Sequence, residues 1–240
     1  IELLVWSFFK SNADLNIVTG RTGVPAMLRN WFNKKEVYIV LHNFDPNDGK
    51  SDLLAFYYRI LFRLLRAAGH QRFRIIAVAP YFVRYFREQK GVDQTVLFPN
   101  LFDTAMYREY ITDKKDKWVH LGQYSAKNDP EIFALAARLH EAGYYCYFST
   151  LNETEARPHN GYFEVIHFSS FGDYLQHMAR CCCTLALTKI NEGWPRLTHE
   201  SLLVGTPVIG YANGGLSDLL RESNSIVVKN IEEAYICIME

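Results

Sequence analysis

Apolar residues recur along this chain in two alternating rhythms. Short runs rich in Val, Ile, Tyr and Phe, at 37–41, 75–78 and 96–98, predict strands. Between them the apolar positions fall near the 3.6-residue period of a helix, over 52–68 and 81–89. Asp52 suits the start of the longer segment and Gly69 its end. After a polar run at 113–117 the alternation resumes. Strands are predicted at 118–121, 144–148, 165–168, 182–187, 208–211 and 226–228. Helices are predicted at 130–142, 171–180, 198–204 and 216–222, with a last one beginning at Ile231. Asp129 stands as N-cap of the 130–142 helix and Gly143 as its stop. Strand runs separated by helical periods of this length predict βαβ units, hence an α/β fold with parallel sheets.

The run Asp113, Lys114, Lys115, Asp116, Lys117 is the best linker candidate, dividing the chain into 1–112 and 113–240. The second part carries enough elements for a complete, doubly wound nucleotide-binding unit. The first shows three or four strands and reads as a partial Rossmann-like domain. Both ends of the chain read as cut.

Composition changes this picture little. With 49% hydrophobic and 22% charged residues, the chain has the balance of a globular protein. No apolar run approaches the roughly 18 residues that a membrane-spanning helix needs, and the start lacks a signal-peptide layout. A cytoplasmic location is expected. Five cysteines, three of them consecutive at Cys181, Cys182 and Cys183, fit small buried hydrophobes better than a disulfide framework or a metal-ligand set. Zero net charge weighs against nucleic acid as a partner. It conceals an asymmetry: residues 1–110 hold 15 basic and 10 acidic residues, the rest 11 and 16.

The densest chemistry follows Lys189. Glu192 lies in a loop at the carboxyl end of the strand 182–187, where parallel α/β sheets bind ligands. A helix is expected to open at Thr198 or His199, and the N–H groups of its first turn favour a phosphate. Glu200, in that turn, can accept two hydroxyl hydrogen bonds, for which a ribose diol is a natural partner. Read by themselves, Glu192 also suits a solvated loop and Glu200 a helix-dipole partner, and both alternatives stay open at this point.

The wider pattern resembles a known family. Glu192 and Gly193, then Glu200, a short helix, Gly205-Thr206-Pro207-Val208 and Gly214-Gly215 look like the retaining glycosyltransferases of the GT-B fold, family 4. Asp218 stands where that family usually has Glu. Upstream, His42 ends a strand, and Pro99, Asn100 and Asp103 resemble the segment before the family's linker. The resemblance covers about residues 36 to 230. It implies two Rossmann-like domains facing a cleft. It gives Glu192 and His42 to the donor sugar as catalytic residues, His42 from the first domain. Gly193, Trp194, Leu197 and Thr198 would offer backbone N–H groups to the sugar and diphosphate, and Glu200 would hold the ribose. No metal and no cofactor is implied beyond a nucleotide-sugar substrate.

Departures from the pattern are specific. The family usually places Arg after the glycine at Gly122 and Lys a few residues on; here those positions hold Gln123 and, as nearest candidate, Lys127. Pro195 replaces a glycine and removes one N–H donor. Arg196 stands where an aliphatic residue is usual, and is expected to supply the cation that Gln123 lacks. The 52–68 helix carries Arg59, Arg63 and Arg66 among Phe56, Tyr57, Tyr58 and Phe62. Such a face suits an anionic membrane surface, although the same pattern fits a helix packed on a sheet with its arginines in water. The resemblance thus implies a retaining, metal-independent hexosyltransferase. It would move sugar from a nucleotide donor, UDP-glucose for example, to a glycan or lipid-linked acceptor, in the cytoplasm or at the inner face of its membrane. A nucleotide-sugar epimerase of the same fold and a degenerate, non-catalytic nucleotide-sugar binder are the alternatives.

Overall fold

The computed structural model describes residues 15–32, 35–41, 52–69, 72–159 and 161–240. The chain divides into two compact units. The first comprises residues 1–100 with 192–194, the second 101–191 with 195–240.

In the first unit, strands β1 (Leu15–Thr19), β2 (Glu36–Val40), β3 (Phe73–Ala77) and β4 (Thr95–Leu97) form a parallel sheet in sequence order. Alternate residues point to one face, so Val37, Ile39, Phe73, Ile75 and Ala77 enter a single core. Helices α1 (Gly23–Asn30), α2 (Asp52–Ala68) and α3 (Pro80–Arg84) add Met27, Leu61, Leu65 and Phe82 to it. The helix expected over 81–89 begins at Pro80, whose fixed φ suits a first helical turn, and widens into a π-helical turn at Tyr85–Gln89. The strand β1 and the helix α1 were not anticipated, because Leu15–Thr19 has too few apolar residues to stand out from its surroundings.

The second unit is built on a seven-stranded sheet. Its strands are β5 (Trp118–Gln123), β6 (Tyr145–Thr150), β7 (Arg157–His159), β8 (Phe163–His167), β9 (Cys183–Ala186), β10 (Val208–Gly210) and β11 (Ile226–Val227). Their order is β11-β10-β9-β5-β6-β8-β7, parallel except for the edge strand β7, which had no clear alternating signal. Helices α5 (Ile132–Glu141) and α9 (Ile231–Met239) cover one face with Ile132, Leu135, Leu139, Ile231 and Ala234. The other face is covered by α4 (Thr104–Arg108), α6 (Phe171–Arg180), α7 (Arg196–Leu203) and α8 (Gly215–Glu222). Cys146, Cys181 and Cys183 are buried free thiols, as their apolar surroundings in the sequence suggested.

The run 113–117 is bound into the second unit rather than bridging two bodies. Lys115 Nζ donates to the carbonyls of Ala179 and Gly205 at 2.6 and 3.0 Å, and Asp116 pairs with Arg180 at 2.6 Å. Ahead of it, Tyr107 of α4 is already buried with Leu175 and Met178. Of the three lysines in the run, Lys115 caps carbonyls of the second unit, while Lys117 lies over the Tyr144 ring.

Candidate functional site

The carboxyl edge of the larger sheet sets the site of the second unit. The chain runs from β5 outward to β6 and β8, then returns to place β9 on the other side of β5. Connections therefore leave β5 and β9 in opposite directions, which opens a crevice at their carboxyl ends. Gly122 sits there with φ +96, and a Cβ in its place would stand 3.1 Å from the Leu185 carbonyl oxygen. Only glycine meets both demands.

Hydrogen bonds stitch the two loops above this edge. Asp129 N–H donates to Leu187 O at 2.8 Å, and Lys189 N–H to Lys127 O at 3.2 Å. Asn128 Nδ2 donates to Gln123 O at 2.8 Å. The buried Asp129 carboxylate is the hub. It receives Lys189 Nζ at 2.8 Å, the Tyr211 hydroxyl at 2.9 Å and Glu131 N–H at 3.1 Å. Burial raises its pKa, but the Lys189 ammonium and the other two donors outweigh burial and leave it below the usual carboxylate value. Asp129 thus caps the turn leading into α5 through Glu131, and α5 itself begins at Ile132, later than the sequence suggested. Beside the hub, Asn213 Nδ2 donates to Thr188 O at 2.8 Å. Neither the Asp129–Lys189 pair nor Asn213 was singled out by the sequence, where the partners lie 60 residues apart along the chain.

Helix α7 starts at Arg196 with Pro195 as its N-cap, two residues earlier than expected. Proline fixes φ and needs no N–H donor, so it can occupy this position although its side chain caps nothing. His199 Nδ1 approaches Pro195 O at 3.0 Å, and since a carbonyl only accepts, Nδ1 carries the proton. The N–H groups of Arg196, Leu197 and Thr198 precede the first intrahelical bond, made by His199 N–H to Pro195 O at 3.2 Å.

Because α7 opens at Arg196, Glu200 lies one turn into the helix rather than in its first turn, and is 5% exposed. Arg196 Nη2 donates to Oε1 at 3.1 Å, and the Tyr174 hydroxyl of α6 donates to Oε2 at 3.1 Å. Burial raises the Glu200 pKa, and Arg196 and Tyr174 only partly offset it, so the carboxyl stays above its ordinary value. Behind Tyr174, the ring of His120 meets it edge-on at 6.2 Å and stacks on Tyr147 at 4.8 Å. Complete burial pushes His120 down to about 3, so the ring is neutral, held by Ser149 Oγ at 3.1 Å. Nothing in the sequence marks Tyr174 or His120, because an aromatic in a helix and a polar residue in a strand are common without this contact.

The remaining sequence candidates fall in different places. Gln123 is exposed at the end of β5 and Lys127 on the loop that follows, Arg196 is exposed, and Leu197 packs on the cluster around Tyr107 and Met178. Thr198 is 1% exposed, so it offers its backbone rather than its side chain. Glu192, Gly193 and Trp194 are half-buried and group with the first unit. His42 lies outside the described residues. Within the second unit the arrangement joins a helix start rich in donors, a buried carboxylate able to accept hydroxyls, and the cations Arg196 and Lys189. Such a set can hold a polyol and an anion in one ligand.

No protein-family model matches the chain, and no curated protein does. Solved structures do. HepE from Anabaena, crystallised with UDP and glucose, is 16% identical, with a TM-score of 0.73 over 99% of this chain and 70% of its own. Sucrose-phosphate synthase from Thermosynechococcus elongatus is 13% identical, with a TM-score of 0.72 over 96% of this chain and 64% of its own. The UDP-GlcNAc 2-epimerase of Methanocaldococcus jannaschii is 13% identical, at 0.55 over 99% and 73%. The chain therefore has the α/β fold with parallel sheets that these GT-B proteins share, and spans about two thirds of their length.

Proposed function

We propose that this chain binds a nucleotide sugar and acts as a retaining glycosyltransferase. One observation carries the reading: a carboxylate buried one turn into α7, behind the N–H groups that open that helix, at the carboxyl edge where β5 and β9 part. The ribose diol binds Glu200, and the diphosphate lies at the α7 N-terminus against the N–H groups of Arg196, Leu197 and Thr198. Gln123 at the end of β5 and Lys127 on the loop after it line the diphosphate. Arg196 adds the positive charge that Gln123 cannot. Glu192, with the backbone of Gly193 and Trp194, is assigned to the sugar, and so is His42. The likeness to HepE, whose crystals hold UDP and glucose, supports UDP-glucose as the first donor to try.

In this mechanism the leaving diphosphate and the acceptor hydroxyl lie on the same face of the sugar. Oxocarbenium charge is stabilised electrostatically, and the departing diphosphate is held by side-chain cations and the helix N-terminus, without a metal or a covalent nucleophile. The acceptor is a glycan or a lipid-linked sugar. Helix α2 supports the latter: Leu53 (77% exposed), Phe56, Arg59, Arg63 and Arg66 share its exposed face, with the Arg59 guanidinium 5.8 Å from the Phe56 ring centre. That face suits peripheral contact with an anionic membrane from the cytoplasmic side; no helix among the described residues is long and apolar enough to cross one.

The test is turnover with UDP-glucose and a panel of acceptors, with anomeric configuration of the product followed by NMR. Release of UDP that requires acceptor, with retained configuration, is expected. The likeness to the UDP-GlcNAc 2-epimerase favours one second reading, in which the sugar is inverted at carbon 2 without any acceptor. Donor epimerisation in the absence of acceptor would establish that reading instead. Tight donor binding with neither reaction would leave a non-catalytic binder, to which Gln123 and Pro195 would then point.

A further inference from the structure

In the structure the proposed ribose carboxylate is already occupied. Glu200 accepts from Arg196 on Oε1 and from Tyr174 on Oε2, each at 3.1 Å, and the residue is only 5% exposed. Arg196 is the outer member of this group, with 65% of its side chain exposed, one helical turn before Glu200. A ribose approaching from solvent meets the guanidinium before it meets the carboxylate. Tyr174 is anchored behind, packed against Phe168 and His120, and stays in place.

We infer that Arg196 is the residue that makes the site select nucleoside diphosphates over nucleosides, by exchanging Glu200 for phosphate when the donor binds. The inference rests on the donor site proposed above. Each Glu200 oxygen keeps a second lone pair, but the carboxylate is almost wholly covered and Arg196 is its outer partner, so a ribose diol reaches it only when Arg196 swings aside. With a diphosphate in the same ligand, the released guanidinium finds a new anion at the N-terminus of its own helix, and no ion pair is lost. With a nucleoside it finds water, and the exchange is unfavourable. Ribose recognition and phosphate recognition are thereby coupled through one side chain. Arg suits the task because its fork pairs equally well with carboxylate and phosphate geometry.

Calorimetry of the full chain with UDP and with uridine tests this in the wild type, in Arg196→Ala and in Arg221→Ala. Arg221, an exposed residue of α8 paired with the buried Asp218 at 3.0 Å, controls for the change in net charge. In Arg196→Ala, UDP should bind about tenfold or more weakly, the loss expected for a charge-assisted contact. Uridine should bind more tightly than in the wild type, since Glu200 is uncovered, while Arg221→Ala should leave the UDP-to-uridine ratio unchanged. If Arg196→Ala weakens both ligands alike, or changes neither, the exchange is wrong while the donor site stands. If the wild type binds no UDP, the donor reading fails and takes the exchange with it.

Discussion

The ligand role proposed for Glu200 would come at a cost to the fold. Its pKa is raised, chiefly by burial, so ionisation is less favourable in the folded chain than in the unfolded one. Its contribution to stability therefore declines as pH rises from the ordinary Glu value, about 4.3, through the higher folded value. Glu200→Gln keeps an acceptor for Tyr174 and removes the buried charge. Its melting temperature at pH 7 should equal or exceed that of the wild type, while donor affinity falls; a markedly lower melting temperature with unchanged affinity would make Glu200 a purely structural group. Asp129 behaves oppositely. Its depressed pKa makes it stabilising above the ordinary Asp value, about 3.9, with that benefit lost as pH falls toward the folded value. Asp129→Ala leaves the Tyr211 hydroxyl and Glu131 N–H without an acceptor and should destabilise by about 2–3 kcal/mol in urea titration. A loss below roughly 0.5 kcal/mol would show that the hub contributes little.

At the scale of elements, sequence periodicity located most of the architecture. The expected helices 171–180 and 216–222 match Phe171–Arg180 and Gly215–Glu222 closely, since both carry apolar stripes. Misses were local and physical. Helix α7 begins at Arg196 because Pro195 can precede a helix without capping it, a start that Ser, Thr, Asp or Asn rules do not find. Strand β7 pairs antiparallel with β8 at the sheet edge over three residues, too few for a period to register. Of the candidate site, Glu200 and the α7 loop were legible because residue types and spacing combine there. Tyr174, Lys189 and Asn213 were not, since each becomes informative only through a partner distant in sequence. Gly122 tests the element geometry directly. Gly122→Ala forces a side chain into φ +96 and against Leu185 O, and should cost about 1–3 kcal/mol; an unchanged midpoint would show that the β5–β9 edge can relax. Helix α2 gives a second test. Replacing Arg59, Arg63 and Arg66 together by Gln should weaken binding to phosphatidylglycerol vesicles by about 3 kcal/mol, near 1 kcal/mol per basic residue, and leave the fold intact. Equal vesicle binding by the triple variant would remove the membrane from the account.

For the whole molecule, one sheet per unit and a switch point in the larger one are the features that organise chemistry. The two sheets wind differently. The smaller adds strands in one direction only, whereas the larger reverses between β5 and β9, and it is at that reversal that the carboxylate, the helix start and the cations gather. HepE shares this fold at a TM-score of 0.73 with only 16% identity. The central claim is that the α7 site binds a nucleotide sugar through Glu200. Calorimetric titration of the intact protein with UDP-, GDP- and ADP-sugars, repeated on Glu200→Gln, tests it most directly. Saturable binding of at least one of these, weakened by about tenfold or more in the variant, is the predicted result. Binding of none of them by the wild type, or equal binding by both proteins, would contradict it.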